Sequence, residues 1–163
     1  RVLAKTFFFW ALQGVRRRYS QLEAVFIGHT VEAWEFSEEE FFQVSGQGGT
    51  VASTCYRKAL EIIQDRYPPA QYNIYFFYAS DGENFQDDHP HAVESLQQLA
   101  DLANYCGYVE VASPSPMQRY LETSRVFDEA IPDPQQGARF SLTQEEDIWE
   151  AIRTFFGVHS QAA

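Results

Sequence analysis

The hydrophobic and polar positions of the chain alternate between helical and strand-like spacing. Residues 2–18 carry an apolar stripe at helical intervals, and the arginines at 16–18 favour a helix C-terminus. VEAWEF (31–36) alternates like a half-exposed strand, whereas the run at 73–80 is almost wholly apolar, which is typical of a buried strand. The predicted helices cover 2–18, 38–42, 51–66, 90–104, 115–127 and 144–156, and the predicted strands cover 22–29, 31–36, 73–80, 107–113 and 138–142.

This order of elements implies an α/β fold in a single domain, residues 1–163. Residues 22–36 should form a hairpin with a tight turn at Thr30. The chain opens with a helix, so the strand that should feed that helix is missing. We therefore expect a domain that is incomplete at its N-terminus and lacks a central strand.

Helix ends are marked by local signals. Ser37 with Glu40, and Thr143 with Glu146, have the spacing of capping boxes. Gly157 is expected to end the last helix.

Composition narrows the classes of partner. The 163 residues include 14 Phe, 9 Tyr and 3 Trp, and 45% of them are hydrophobic, which argues against disorder. The net charge of −11 disfavours nucleic acid and anionic membranes, and it favours cations or basic protein partners. No apolar run approaches the ~20 residues of a membrane span.

The two cysteines, Cys55 and Cys106, are too few for a disulfide framework. We expect buried free thiols, Cys55 on a helix and Cys106 at a helix end. Free thiols indicate a reducing compartment.

A candidate site lies where the most apolar strand ends. That strand delivers Ser80 and Asp81 to the carboxyl edge of the sheet, where open α/β sheets bind ligands. Gly82 allows a sharp turn, and Glu83 adds negative charge. A carboxylate beside hydroxyls and water suits Mg²⁺. The alternative interpretation is a plain Asp-Gly turn beside a solvated acidic loop.

A second candidate is the glycine-rich loop SGQGG (45–49), which ends at Gly49 and is followed by Thr50. The Thr50 hydroxyl could bind a metal, or it could simply cap the following helix. Phosphate binding is disfavoured, because the Gly-Lys-Ser/Thr signature is absent.

Other chemistries are less well supported. His89 and His91 could begin a zinc site, but they lack a third ligand, and exposed histidines after a capping Asp88 fit better. His29 is expected to be a hydrogen-bonded residue at a strand end. No Gly-x-Ser-x-Gly elbow is present for serine catalysis.

Three segments together resemble the bacterial YeaH/YhbH proteins: RVLAKTFFFWAL, VFIGHTVEAWEFSEEEFF and SGQGGTVASTCYRKALEIIQDRYPPAQYNIYFFYASDGENFQDD. The resemblance covers nearly the whole chain. It implies a Rossmann-like von Willebrand A-type three-layer sandwich, with a mostly parallel sheet, one antiparallel edge strand and a missing first, central strand.

The resemblance also implies a metal-ion-dependent adhesion site for Mg²⁺ or Mn²⁺. Thr50 resembles its second-loop threonine and Asp81 its third-loop aspartate, with Gly49, Ser80, Gly82 and Glu83 as neighbours in the binding site. The Asp-x-Ser-x-Ser loop of the first strand is absent here. We therefore expect this chain alone to bind Mg²⁺ weakly or not at all.

The function implied by the resemblance is protein–protein recognition in the cytoplasm, in stress or sporulation signalling. The implied partner is a serine protein kinase of the PrkA type, and neither nucleic acid nor membrane is expected. Two alternatives stay open, a Mg²⁺-dependent phosphatase-like enzyme and a metal-free scaffold. A phosphatase would need a nearby cation, for which Lys5 and Lys58 are candidates.

Overall fold

The structure, a computed structural model, describes residues 2–43, 50–111 and 121–160. Its helices are α1 (Val2–Arg18), α2 (Glu38–Gln43), α3 (Ala52–Arg66), α4 (His89–Leu102), α5 (Glu122–Ala130) and α6 (Glu145–Ser160). Its strands are β1 (Phe26–His29), β2 (Ala33–Phe36), β3 (Tyr75–Ser80), β4 (Tyr105–Val111) and β5 (Gly137–Leu142). A single 3₁₀ turn, Gln86–Asp88, precedes α4.

The strands form two separate sheets. β1 and β2 make the antiparallel hairpin, with Phe26 opposite Phe36. β3, β4 and β5 make a parallel sheet in that order, with Ser80 opposite Glu110 at its carboxyl edge. The α/β class is therefore confirmed. Among the described residues no strand joins the hairpin to the parallel sheet, so the expected single sheet with an antiparallel edge strand is not seen as one sheet there.

Helices cover both faces of the parallel sheet. α3, α4 and α5 pack on the face that carries Tyr78 and Tyr108. α1 and α6 pack on the opposite face, where Val109 and Phe155 are fully buried. Alternate residues of β3 and β4 supply the two cores, as the period-two geometry of strands requires. Every residue of β4 from Tyr105 to Glu110 is buried, so β4 is the centre of the sheet.

Several helices and strands begin or end at residues other than those predicted. β1 begins at Phe26 rather than at residue 22, because residues 22–25 have no strand beside them. Cys106 lies inside β4 rather than at a helix end, although both thiols are buried and free as predicted. The helix predicted at 115–127 is described only from Glu122 to Ala130, and its first part lies outside the described residues.

The predicted capping is confirmed at the start of α2 but is wrong at both ends of α6. The Ser37 hydroxyl accepts the Glu40 N–H and the Glu40 carboxylate accepts the Ser37 N–H, which confirms that capping box. At α6 the Asp147 carboxylate, not Glu146, accepts the Thr143 N–H and hydroxyl. α6 also continues through Gly157, since glycine ends a helix reliably only in a left-handed conformation, which Gly157 does not adopt.

No helix in the described ranges is both long enough and apolar enough to cross a bilayer.

Candidate functional site

A cleft of about 700 Å³ separates β1 from β3. All four residues of β1 and all six of β3 line it, together with one side of α1. The walls are rich in aromatic side chains, and the cleft reaches the carboxyl ends of both strands. It is therefore a gap between two strand edges that extends towards the predicted ligand edge.

The structure brings two predicted metal ligands to this cleft. Thr50, just before α3, and Asp81, just after β3, both line it, as does Ser80. Gly82 and Glu83 do not line the cleft, and Gly49 lies outside the described residues. The grouping arises because the segment before α3 contacts both the turn after β1 and the loop after β3: Val51 donates to the Thr30 carbonyl, and Ala52 donates to the Asn84 side chain.

Asp81 is exposed, and one of its carboxylate oxygens accepts the Glu83 N–H at 3.1 Å. This is the local turn that the simpler interpretation predicted. Within the described ranges the other carboxylate oxygen has no hydrogen-bond partner, so turn formation and binding of a ligand in the cleft are compatible.

Ser80 is held by a chain of hydrogen bonds that ends on a buried carboxylate. The Ser80 hydroxyl accepts the Gly82 N–H at 3.0 Å and lies 2.8 Å from the Tyr108 hydroxyl. Tyr108 donates to Glu110, which also accepts the Ser124 hydroxyl. Because a carboxylate only accepts, it orients the Tyr108 hydroxyl and fixes the loop that carries Asp81. Ser80 is thus a positioning residue in this structure.

Gly82 is required by that arrangement. Its φ is +90°, and an added Cβ would lie 2.5 Å from both Glu110 Oε1 and Leu121 Cδ1. Sequence reasoning identified the glycine but missed Glu110. The signal was present, since Glu110 is a single acidic residue in a strand whose other side chains are mostly apolar.

The N-terminus of α3 is capped by the loop that follows β3. Asn84 accepts the Ala52 N–H, and the buried Asp88 accepts both the N–H and the hydroxyl of Ser53. Asp88 does occupy the N-cap position of α4, as expected, but its side chain makes no capping hydrogen bond to that helix. Thr50 does not cap α3 either, because the N-cap position is Val51.

Two buried polar atoms beside the cleft lack partners among the described residues, His29 Nδ1 and the Tyr78 hydroxyl oxygen. Their rings lie 5.3 Å apart, and both residues line the cleft. Burial lowers the pKa of His29 and raises that of Tyr78, so both side chains are neutral near pH 7. Backbone hydrogen bonds with Thr30 and Val51 oppose that lowering of the His29 pKa, so the expected hydrogen bonding of His29 is met in part, although Nδ1 has no partner among the described residues.

The oxygen atoms at this edge are of the type that a hard divalent cation binds, but they are too few to hold one. Thr50 and Asp81 offer a hydroxyl and a carboxylate, which are oxygen ligands that Mg²⁺ accepts. Within the described ranges no cluster of three or more His, Cys, Asp or Glu residues could hold a metal. Further oxygen ligands would be needed from outside this set.

His89 belongs to a different cluster. Its Nδ1 lies 2.6 Å from Glu122 and its Nε2 lies 2.7 Å from Glu129. Both ring nitrogens are engaged with carboxylates of α5, which raise the pKa of His89. The histidine therefore links α4 to α5 instead of standing exposed.

Comparisons with known proteins give one consistent result. A family model described as a protein of unknown function, DUF444, matches residues 1–159. The chain is 37% identical over 161 residues to a UPF0229 protein of Shouchella clausii, covering 99% of this chain and 40% of that protein. A UPF0229 protein of Halalkalibacterium halodurans is 35% identical over 160 residues, covering 98% and 40%. One from Ruminiclostridium cellulolyticum is 46% identical over 109 residues, covering 67% and 27%. The chain thus spans less than half the length of these relatives.

Proposed function

The chain belongs to the DUF444 family, and on that premise we propose that it is a protein–protein interaction module whose partner site lies at the carboxyl end of the β1–β3 cleft. It recognises a partner and does not turn over a substrate. The observation that carries this proposal is that Thr50 and Asp81, 31 positions apart in sequence, line one cleft at the strand ends.

The topology supports a ligand site at this position. α1, which precedes β1, packs on one face of the fold, and α3, which follows the hairpin, packs on the other. Where successive connections change faces, the loops at the strand ends diverge and leave a crevice, and open α/β sheets bind ligands there. The finer fold that we propose is the Rossmann-like von Willebrand A type without its first strand.

The proposed ligand is a divalent cation, Mg²⁺ or Mn²⁺. Thr50 and Asp81 would hold it together with oxygen ligands from polypeptide that precedes α1. The bound cation would supply an open coordination position for a carboxylate of the partner protein. Asp81 is the critical group, because it brings the negative charge, and the Ser80–Tyr108–Glu110 chain holds its loop in place.

The test is a calorimetric titration with MnCl₂ and MgCl₂. Two proteins are compared, this chain and a version extended by the polypeptide encoded before residue 1. We expect saturable binding only in the extended protein, and loss of binding in its Asp81→Ala variant. Asp87→Ala, an exposed acidic neighbour outside the cleft, is the matched control and should bind normally. Equal affinity in the Asp81→Ala variant would refute the assignment of the site.

One observation favours a second candidate, a phosphatase-like enzyme. Lys5 of α1 lines the same cleft as Asp81 and could stabilise phosphoryl charge there. Metal-dependent hydrolysis of an aryl phosphate by the extended protein, lost in both Lys5→Ala and Asp81→Ala, would establish this activity in place of pure recognition.

We further propose a cytoplasmic location and a serine protein kinase of the PrkA type as partner. The support for both is the resemblance alone. Binding of that purified kinase to the extended protein, weakened by Asp81→Ala, is the expected result. Equal binding by the two proteins would place the contact elsewhere.

A further inference from the structure

We propose that the surface where α1, α2 and α6 meet is a second docking surface, and that it binds a basic amphipathic helix of a partner protein. This inference goes beyond the recognition proposed above, and it requires no metal. The centre of the surface is a run of four aromatic residues, here called the aromatic strip: Trp149 of α6, Trp10 and Phe9 of α1, and Phe42 of α2.

The rings of the aromatic strip contact one another and leave much of their surface open to solvent. The ring centroids of Trp149 and Trp10 are 5.4 Å apart. Those of Trp10 and Phe9 are 5.2 Å apart, and Phe42 follows 6.4 Å from Phe9. The exposed fractions of Trp149, Trp10 and Phe9 are 44%, 40% and 44%. Contiguous exposed apolar groups mark interaction sites, and tryptophan is enriched among the residues that dominate binding energy.

The aromatic strip is separate from the candidate site described above. None of its four residues lines the β1–β3 cleft. Its position therefore allows a partner to bind there whether or not the cleft is occupied.

The spacing of the rings suits a helical partner. Successive turns of an α-helix are about 5.4 Å apart, which is close to the distance between neighbouring rings in the strip. Apolar side chains that are one turn apart on a partner helix can therefore meet successive rings. Amphipathic helices bind apolar surfaces of other proteins in this way.

Carboxylates lie beside the Trp149 end of the strip. Glu145 and Glu146 precede Trp149 by four and three residues, so they share its face of α6. Both glutamates are exposed, and neither has an ion pair among the described residues. Arg153 lies one turn beyond Trp149, so the two carboxylates outnumber this one guanidinium. This end of the strip is therefore negatively charged.

The Phe42 end has the same arrangement. Glu38 and Glu39 precede Phe42 by four and three residues on α2. Glu38 forms an ion pair with Arg16 at 2.8 Å, whereas Glu39 is exposed and its carboxylate meets only the Gln43 amide, at 3.4 Å, among the described residues. Apolar rings between carboxylates match a helix whose apolar residues lie between lysines or arginines. A cation of that helix can also lie over a tryptophan ring.

The charge pattern also decides between possible occupants. The chain carries a net charge of −11. A second copy would bring like carboxylates together, and an anionic bilayer would be repelled by the same charge. A basic protein segment is instead attracted by the whole protein, and complementary charge favours it over other apolar partners.

The test is the binding of a labelled peptide to this chain, measured by fluorescence anisotropy. The probe is a fluorescein-labelled peptide of about 14 residues, built from leucine and lysine in amphipathic helical spacing. We expect saturable binding that weakens as NaCl is added, because salt screens exposed charges. A peptide with glutamate in place of every lysine should not bind.

A matched pair of tryptophan variants locates the contact. Trp149→Ala should weaken binding about ten-fold, because tryptophans at the centre of an interface carry much of its energy. Trp34→Ala removes a tryptophan of β2 that is 45% exposed, almost as Trp149 is, and it should leave the affinity unchanged.

A matched pair of charge variants tests the specificity. Glu145→Lys together with Glu146→Lys should weaken binding several-fold and reduce its dependence on NaCl. The control is Glu94→Lys together with Asp101→Lys on α4, which packs on the opposite face of the parallel sheet. It makes the same change in net charge and should have a much smaller effect.

Several outcomes would overturn the proposal. Unchanged affinity in Trp149→Ala, or an equal loss in Trp34→Ala, would show that the peptide does not use the aromatic strip. Dimerisation of this chain that Trp149→Ala abolishes, measured by sedimentation, would make a second copy the occupant. Cosedimentation with phosphatidylcholine vesicles that Trp149→Ala abolishes would make the occupant a membrane. Loss of peptide binding in the extended protein would show that its own polypeptide covers the strip.

The two proposals fail separately. Peptide binding should survive EDTA and the Asp81→Ala substitution, because the strip lies outside the cleft. If EDTA or Asp81→Ala abolishes peptide binding, the contact lies at the proposed metal site and the strip is not the docking surface. Metal binding by the extended protein should in turn be unaffected by Trp149→Ala.

Discussion

The two edges of β3 have opposite environments. Towards β4 the sheet is closed, and β4 is buried along nearly its whole length. Towards β1 the sheet is open, and all four residues of β1 are only half-buried although the strand is apolar. Apolar sequence of similar character is thus buried on one side and left accessible on the other. The difference lies in whether a neighbouring strand is present, and not in the side chains.

The largest expected effect contrasts two phenylalanines on the two sides. Phe155 is fully buried and packs against Phe7, Phe77, Tyr105 and Phe140 on the closed side. Phe155→Ala should lower the free energy of unfolding by about 3–5 kcal/mol, measured by urea denaturation. Phe26→Ala, the matched change in β1, should cost clearly less because its ring is only half-buried. Equal losses would mean that the open side is as tightly packed as the closed side.

A smaller loss of stability is expected from a substitution at Gly82, in the turn just after β3. Gly82→Ala forces a side chain into positive φ against Glu110, so it should destabilise the protein by about 1–3 kcal/mol. Gly14→Ala in α1 is the control, because its added Cβ meets nothing within 4 Å. The control should be neutral or should stabilise the helix by up to about 1 kcal/mol. If thermal unfolding shows that Gly82→Ala lowers stability and Gly14→Ala does not, the backbone conformation at each glycine decides the effect. If both substitutions change stability alike, that explanation is wrong.

The smallest expected effect on stability is electrostatic, and it involves His89 of α4 and its carboxylate partners on α5. Hydrogen bonds to Glu129 and Glu122 raise the pKa of His89 in the folded state. A raised folded pKa adds stability that is complete below the unfolded value of about 6.5 and is lost as pH rises through the folded pKa. The free energy of unfolding should therefore fall from slightly acid to slightly alkaline pH, measured by urea denaturation at each pH.

His89→Gln should remove that part of the pH dependence, whereas His91→Gln, an exposed histidine on the same helix, should preserve it. A slope that survives His89→Gln unchanged would assign the pH dependence to other groups.

Much of the fold could be predicted because its signals are local. The period of the apolar positions identified the order of helices and strands, and the Ser37–Glu40 capping box was correct to the residue. Errors arose where a side chain bonded to a group other than the one that the local pattern indicated. The Asp88 carboxylate bonds to Ser53 of α3 rather than to α4, and Asp147 rather than Glu146 accepts from Thr143.

The candidate site divides in the same way. Asp81 at a strand end and Thr50 before a helix were identifiable from residue type and spacing. Glu110 was not, because its role depends on Tyr108 and Ser124, which reach it only through the sheet register and the packing of α5.

By itself, the sequence determined which segments are helix or strand, that the cysteines stay free, and which carboxylate follows the most apolar strand. Those properties depend on backbone preference and on neighbours a few residues away. Only the tertiary structure decided that the hairpin stands apart from the parallel sheet, that a cleft runs between β1 and β3, and that Thr50 and Asp81 share it. Strand neighbours are chosen by long-range pairing and burial, and these are set by every element at once and are not encoded in any single segment.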